Sequence, residues 1–463
     1  MFQNKKDLLE VSFVGVHKSF VAKQRDSLES LCLFFIYKTY NLMERRLYKI
    51  RKKGKIFFLD IDNLDILNFQ NSDKRKLYNE YEPKLWNDED CIENELNIRH
   101  LRRITVCVSN DCNLRCKYCY AQGGNYGNSR NLMSKERAND FIEFCCHNYD
   151  KIDNILFFGG EPLMNPKIIS LICNGFKKKA AKGLFPLPIF TMITNGTILS
   201  PFIISIIKDN ISHITISIDG PKNINDRNRV YPNGHGSFDD IQHFIKECKK
   251  IPGLKIQYEA TYTKSHLELG ITKLSIQNFL EKTFNIKGII INEDRLESSF
   301  ILSEFQSITP QKLISTNFEC LPLDFWQIVE TVVCKKEHSF CGLLKDRITI
   351  SSTGDIISCQ MLMGNDSNVV SNINDPFFIN KVVQNRHNFK NNSNCKRCWA
   401  FKICGGCPIP KFYINKKYHA IPSKEICSLT KEIIKESLGL LYLIYSEKEL
   451  KEMFLLIVRK KFL

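Results

Sequence analysis

Six short β-rich runs separated by helical stretches, all between residues 101 and 292, restrict this chain more than any other feature. They are Arg102 to Val108, Asn154 to Phe158, Pro188 to Thr194, His213 to Ile218, Leu254 to Thr261 and Gly288 to Asn292. Several are almost wholly apolar, as a strand must be when both its faces are covered. Strands that alternate with helices pair in parallel, because a parallel connection has to cross the sheet and the helix makes the crossing. Helix signals lie where this scheme needs them. Ser134 precedes a segment with Ala138, Phe141, Ile142 and Cys145 on one face, and Ser237 precedes Phe238 to Lys249 with Ile241, Phe244 and Ile245 on one face. Both serines are read as N-caps. Six β/α units predict an α/β fold, a partial (β/α)6 barrel of the TIM type.

The chain has 463 residues, enough for two to four domains at about 100 to 200 residues each. The pattern changes on both sides of the barrel. Lys23 to Ile50 reads as helix, and the segment 55–69 reads as a hairpin turning near Asp62-Asn63. The expected division is a small α+β module at 1–100, the barrel at 101–300, a cysteine-rich extension at 301–429 and an amphipathic, packing helical tail at 430–463. A composition of 43% hydrophobic and 25% charged residues excludes a disordered or collagen-like chain. The net charge of +16 invites a nucleic-acid reading, but residues 1–100 hold 18 Lys and Arg against 16 Asp and Glu, which excludes a basic N-terminal arm. The first residues lack the apolar core and cleavage site of a signal peptide. The apolar runs near Leu31 to Tyr37 and Leu438 to Tyr445 fall short of the roughly 18 residues of a spanning helix. A cytoplasmic location without a membrane span is therefore expected. In a reducing compartment thiols stay free, so clusters among the 19 cysteines point to metal ligation or catalysis.

The first cluster follows the first run, in the text SNDCNLRCKYCYAQGG: Cys112, Cys116 and Cys119 in the spacing C-x3-C-x2-C. Three thiolates so close can converge on one metal centre. Iron–sulfur clusters take four cysteines, so three would leave one iron open to a small ligand. A zinc site completed elsewhere, or plain exposed thiols, is the alternative on spacing alone. After the second run comes Phe158-Gly159-Gly160-Glu161-Pro162, where two glycines let the backbone approach a ligand and Glu161 offers a carboxylate to an ammonium group. These loops, together with Asn195 and Asp219-Gly220, all follow strands, and the C-terminal ends of parallel strands are where such sheets keep their active face.

With aromatic Tyr118 before the last cysteine of the loop, GGEP at 159–162, TNGT at 194–197 and SIDGP at 217–221, the chain resembles the radical S-adenosylmethionine superfamily. The resemblance implies that Cys112, Cys116 and Cys119 hold a 4Fe-4S cluster whose open iron binds the amine and carboxylate of S-adenosylmethionine. Gly159, Gly160 and Glu161 would contact the amine. Tyr118, Asn195, Ser217 and Asp219 would be further cofactor contacts, the last three to ribose or carboxylate. The chemistry implied is reductive cleavage to a 5′-deoxyadenosyl radical that abstracts a hydrogen, with the electron supplied by a reductant such as flavodoxin or ferredoxin. The protein positions and shields that chemistry.

A second cysteine field holds Cys334, Cys341, Cys359, Cys395, Cys398, Cys404, Cys407 and Cys427. Its order, C-x12-G-x4-C through Gly354, then C-x2-C-x5-C-x2-C, then a lone cysteine, resembles the SPASM extension of radical enzymes, which carries two auxiliary 4Fe-4S clusters. By position Cys341, Cys359 and Cys407, with Cys334, would hold the first, and Cys395, Cys398, Cys404 and Cys427 the second. The third gap departs from the usual three residues: CGGC at 404–407 has two, a variant associated with peptide maturases. A pair of zinc ribbons is the competing reading. Between residues 334 and 427 stand 14 Lys and Arg against 6 Asp and Glu, and two clusters of about −2 each would offset half of that excess, so the basic residues are read as counterions and not as a nucleic-acid footprint. Zinc ribbons also leave the first 300 residues unaccounted for. The remaining cysteines, Cys32, Cys91, Cys107, Cys145, Cys146, Cys173, Cys248 and Cys320, are read as small hydrophobes.

The texts CYAQGGNYG at 119–127, EATYTKSH at 259–266 and CKRCWAFKICGGCP at 395–408 resemble maturases that cross-link ribosomally made precursor peptides. The implied function is peptide maturation, with a thioether from cysteine sulfur as the leading bond type and the precursor peptide as partner. Epimerisation and carbon–carbon cross-linking stay open. Sulfatase-maturing relatives place Asp after the cysteine corresponding to Cys359, where this chain has Gln360, which lowers that reading. Outside the enzymes, the alternative is a zinc-ribbon protein that binds nucleic acid. The N-terminal module resembles in position the leader-recognition domains of such maturases, which add a peptide strand to a sheet edge; a structural cap is the alternative.

Overall fold

The computed structural model describes residues 47–52, 55–60, 65–67, 99–285, 289–293, 305, 308–318, 321–334, 340–387, 389, 391–415 and 417–462. The chain divides into two compact units, 1–82 and 83–463.

In the first unit, strands β1 (Leu47–Lys52), β2 (Lys55–Asp60) and β3 (Asp65–Leu67) form an antiparallel meander in that order. The expected hairpin is β2 with β3, in the register Phe58 to Leu67 and Asp60 to Asp65. Phe57 and Leu59 alternate onto one buried face, and Ile50 of β1 pairs with Phe57. The expected helix over Lys23 to Ile50 is corrected at its end. Residues 23–46 lie outside the described residues, while Leu47 to Ile50 are strand. Lys49 is exposed and Ile50 buried, a period of two that suits a pleated edge and not a helix.

In the second unit the six expected strands are present as β4 (His100–Ser109), β5 (Lys151–Gly159), β6 (Ile189–Thr194), β7 (His213–Ser217), β8 (Lys255–Tyr262) and β9 (Ile289–Glu293). They lie side by side in chain order, and every neighbouring pair is parallel. Helices Lys135–Asn148, Pro166–Ala181, Pro201–Asn210, Phe238–Cys248 and Lys273–Phe284 make the crossings. Ser134 caps the first, its hydroxyl accepting from Arg137 N at 3.1 Å. Ser237 does not cap its helix. Its hydroxyl donates to the Arg229 carbonyl at 2.8 Å, and Asp226 Oδ1 takes the Phe238 N–H at 2.8 Å instead. Apolar side chains of sheet and helices, among them Ile104, Val106, Phe157, Ile214, Ile216, Phe244 and Leu280, fill one continuous core.

The sheet does not end at β4. Strand β10 (Arg347–Ile350) pairs with it in parallel, Ile348 beside Ile104, and β11 (Asp355–Ile357) and β12 (Val369–Asn372) continue antiparallel. This addition covers an edge that would otherwise present unpaired backbone groups. A short hairpin, β13 (Tyr413–Ile414) with β14 (Lys417–Tyr418), follows. The tail forms two helices, Lys424–Ser446 and Lys448–Phe462. The first starts earlier than expected because the Ser423 hydroxyl accepts from Ile426 N, which places Cys427 in its first turn. Phe454 stacks on Trp326 of helix Leu323–Val332 at 5.9 Å between centroids. Among the described residues no helix is long and apolar enough to cross a membrane.

Candidate functional site

The first cysteine loop leaves β4 at Ser109 and is held by backbone from two directions. Gly160 N donates to Ser109 O at 2.9 Å and Glu161 N to Asp111 O at 2.9 Å, so the turn after β5 is bonded to the loop after β4. Arg115 N donates to Val230 O at 2.6 Å and Lys117 N to Asn228 O at 3.0 Å, which ties the loop to the segment after β7. The contact between turns is too close for side chains. A Cβ on Gly160 would stand 2.2 Å from Asp111 O, and one on Gly124 would stand 2.6 Å from Gly160 Cα and 2.7 Å from Cys112 Cβ. Only glycine lets these two backbones touch beside Cys112.

Burial pushes the Cys112 thiol up to about 12, with the Glu161 carboxylate and the Cys116 and Cys119 thiols adding to the rise. Burial likewise raises Cys116, opposed by the Arg229 guanidinium. Cys112 and Cys116, which resist ionising alone, need a cation to become thiolates, and Cys112 Sγ already accepts from Leu114 N at 3.3 Å and Asn195 Nδ2 at 3.6 Å. Among the described residues no three Cys, His, Asp or Glu side chains converge tightly enough for a single metal ion. An iron–sulfur core offers a separate iron to each thiolate and does not require that convergence. The donor set and the glycine cradle fit such a core with a small ligand beside it.

The other candidate residues divide. Glu161 is fully buried and faces into the protein: Oε1 accepts from Leu163 N at 2.9 Å and Thr194 Oγ1 at 2.7 Å, and Oε2 from Asn195 N at 2.7 Å. Its carboxylate clamps the ends of β5 and β6, and three accepted bonds leave one of its lone-pair sites over. Burial lifts it to about 7 despite these bonds. Asp219 also has partners within the protein. It is fully buried and accepts from Tyr118 Oη at 2.8 Å and Thr261 N at 3.1 Å, so it orients Tyr118. Asn195 bridges Asn113 Oδ1, at 2.9 Å, and the Cys112 sulfur. Ser217, half-buried, closes β7 opposite Glu259.

Arg229 was not singled out in the sequence. It is 7% exposed, donates from Nη1 to Tyr118 Oη, lies 3.5 Å from Asp219 Oδ1, and its buried Nε has no acceptor. The available signal was a basic residue shortly after the SIDGP turn, in a segment with no periodicity to mark it as buried. His266, scattered in the sequence, is buried with Nε2 at 2.9 Å from the Asp219 carbonyl, a structural role.

The second cysteine field separates into two groups. Cys359 is pushed up to about 12 by burial and then by Cys407 and Cys341, with Arg103 opposing. Cys341 N donates to Gly406 O at 3.0 Å, which brings the CGGC turn against this group. Cys334 follows helix Leu323–Val332, and its charge acts on Tyr445 of the tail. In the other group, burial and then Cys404, Cys427 and Cys398 raise Cys395 to about 11. Burial, Cys404 and Cys398 raise Cys427. Cys119, Cys341, Cys359, Cys395 and Cys407 border one apolar cluster built on Tyr126, Met363, Phe389 and Phe412. Of the cysteines read as small hydrophobes, Cys107, Cys145, Cys173 and Cys248 are buried and Cys146 half-buried; Cys32, Cys91 and Cys320 lie outside the described residues.

Residues 106–256 match the family model of the Radical SAM superfamily. The chain is 24% identical over 453 residues to the radical SAM cyclopropyl synthase TigE of Paramaledivibacter caminithermalis, covering 85% of this chain and 89% of that enzyme. It is also 24% identical over 332 residues to the cysteine-type anaerobic sulfatase-maturating enzyme of Clostridium perfringens, covering 65% and 86%. In three dimensions it is similar to native anSMEcpe with bound AdoMet, at a TM-score of 0.59 and 19% identity over 74% of this chain and all of that one.

Proposed function

We propose that this chain, which carries a radical SAM domain at residues 106–256, is a radical S-adenosylmethionine peptide maturase with two auxiliary 4Fe-4S sites, and that it installs a thioether cross-link from a cysteine sulfur. The observation that carries the reading is the joining of the Cys112, Cys116 and Cys119 loop to the Gly124 and Gly160 cradle at the C-terminal ends of parallel strands. Cys112, Cys116 and Cys119 would hold a 4Fe-4S cluster, which would supply the electron for reductive cleavage of S-adenosylmethionine. The chain's own residues do the rest. Gly159, Gly160 and Gly124 clear room for a ligand's polar end against bare backbone. Glu161 fixes the two strand ends that frame it. Arg229, with Nε buried and free, offers a charged donor that suits a carboxylate, and Tyr118 with Asp219 holds it in place. Asn195 bridges to Cys112 and orders the loop.

Peptide as substrate class is supported by the relatives: one is named as a sulfatase-maturating enzyme, and anSMEcpe is also similar to this chain in the form with bound Cp18Cys peptide, at a TM-score of 0.57. The thioether is supported by the local texts at 119–127, 259–266 and 395–408. Sulfatase maturation is the second reading. Gln360, whose Oε1 is 3.6 Å from Cys359 Sγ, offers an amide that cannot take up a proton as a carboxylate there would, which disfavours it. The domain limits 1–100, 101–300, 301–429 and 430–463 belong to the same proposal. So does docking of a leader peptide on the β1–β2–β3 meander, whose outer strands leave edges for strand addition among the described residues.

Anaerobically reconstituted protein given dithionite and S-adenosylmethionine should form 5′-deoxyadenosine, and Cys116→Ala should form none. Cleavage by that variant at the parent's rate would remove the site assignment. On a cysteine-containing precursor peptide the mass should fall by two hydrogens per bond. An unchanged mass with an inverted α-carbon would mean epimerisation, and formylglycine would restore the sulfatase reading.

A further inference from the structure

Lys411 is the one buried lysine among the described residues, 7% exposed in the short helix Ile409–Phe412. An ammonium out of water needs acceptors on every side. Here Nζ donates to Gly405 O at 2.9 Å and to Cys404 Sγ at 3.6 Å, and sits 5.1 Å over the Phe340 ring. One carbonyl, one sulfur and a ring face are few partners for a buried charge, and a neutral thiol is a weak one. The same charge reaches Cys427, which it favours as a thiolate. Backbone fixes the geometry: Lys411 O accepts from Ser423 N at 2.7 Å, one turn before Cys427, so helix Lys424–Ser446 and the CGGC turn are both anchored on this residue. Lys411 therefore faces the group Cys395, Cys398, Cys404 and Cys427. Arg103, beside Cys341 and Cys359, serves the other group.

We propose that Lys411 raises the reduction potential of the iron–sulfur site formed by Cys395, Cys398, Cys404 and Cys427. This rests on the auxiliary-cluster reading above. Reduction adds one negative charge to a core that its four thiolates already make anionic. A fixed cation donating to a ligand sulfur stabilises the reduced state more than the oxidised, and burial leaves that attraction little screened by solvent. Lys411 is thus a positioning and tuning residue that acts through Cys404, not one that touches substrate.

The test is a potentiometric titration of the full chain followed by electron paramagnetic resonance, in a Cys112→Ala, Cys116→Ala, Cys119→Ala background so that only auxiliary signals remain. Dithionite supplies the electron. With Lys411→Met, one of the two reduction waves should move to lower potential and the other stay. At the parent's midpoint the ratio of reduced to oxidised cluster should fall roughly tenfold or more. Lys411→Arg should keep most of the parent's potential. Retained iron with both waves unmoved in Lys411→Met would overturn the proposal. Loss of iron in Lys411→Met, Lys411→Gln and Lys411→Arg alike would also overturn it, making the residue structural. A parent background without iron would overturn the auxiliary-cluster reading itself, an outcome distinct from either.

Discussion

At the level of single residues, the identity of the important side chains was readable and their partners were not. Glu161 and Asp219 stand in motifs that mark them, yet both carboxylates point inward, one clamping β5 to β6 and the other holding Tyr118 and Arg229. A motif names a residue type at a turn. Which way its χ angles send the charge depends on neighbours forty or a hundred positions away. Glu161 also makes a prediction about pH. Its usual carboxyl value of 4.5 is raised to about 7 in the fold, because desolvation outweighs the three hydrogen bonds it accepts. Below 4.5 both folded and unfolded chains hold the proton. Between 4.5 and 7 only the folded chain does, so this residue makes stability fall as pH rises through that window, by up to about 3 kcal/mol. Urea unfolding midpoints of the parent and of Glu161→Gln should therefore diverge in slope across pH 5 to 7, the variant being flatter. Parallel curves would show that burial does not govern this group.

At the level of elements, all six barrel strands were legible to within a few residues, since β4 and β5 stand out as mainly apolar runs and β6, β7 and β8 as alternation of buried with less buried residues. The outer strands were not. β10 and β11 span Arg347–Ile350 and Asp355–Ile357, too short for alternation to be read, and their place beside β4 is a tertiary fact about a strand edge. The helix read at Lys23 to Ile50 failed at its end for a related reason: the hairpin at 55–60 and 65–67 recruits Leu47–Lys52 as a third strand, and pairing overrides local propensity. The turn after β5 carries the sharpest test at this scale. Gly160→Ala places a methyl 2.2 Å from Asp111 O, so the loops after β4 and β5 must part. Formation of 5′-deoxyadenosine should drop at least about tenfold while auxiliary iron is retained. Full activity would mean that the cradle does not hold the ligand.

For the whole molecule, the sheet and the cysteine-rich segment are one assembly. The loop after β4 and both groups of the second cysteine field border the same apolar cluster, so Cys119, Cys341, Cys359, Cys395 and Cys407 share a low-dielectric surrounding. With Lys411 donating to Cys404 and half-buried Arg103 near Cys359, the anionic clusters proposed above would offset part of the +16 charge. The most direct test of the account is iron and acid-labile sulfide per chain after anaerobic reconstitution, in the parent and in two variants: Cys112→Ala, Cys116→Ala, Cys119→Ala, and Cys395→Ala, Cys398→Ala. The parent should hold about twelve irons and each variant about eight. Stoichiometric zinc, or about four irons in the parent, all lost with the first variant, would contradict the three-cluster enzyme proposed here.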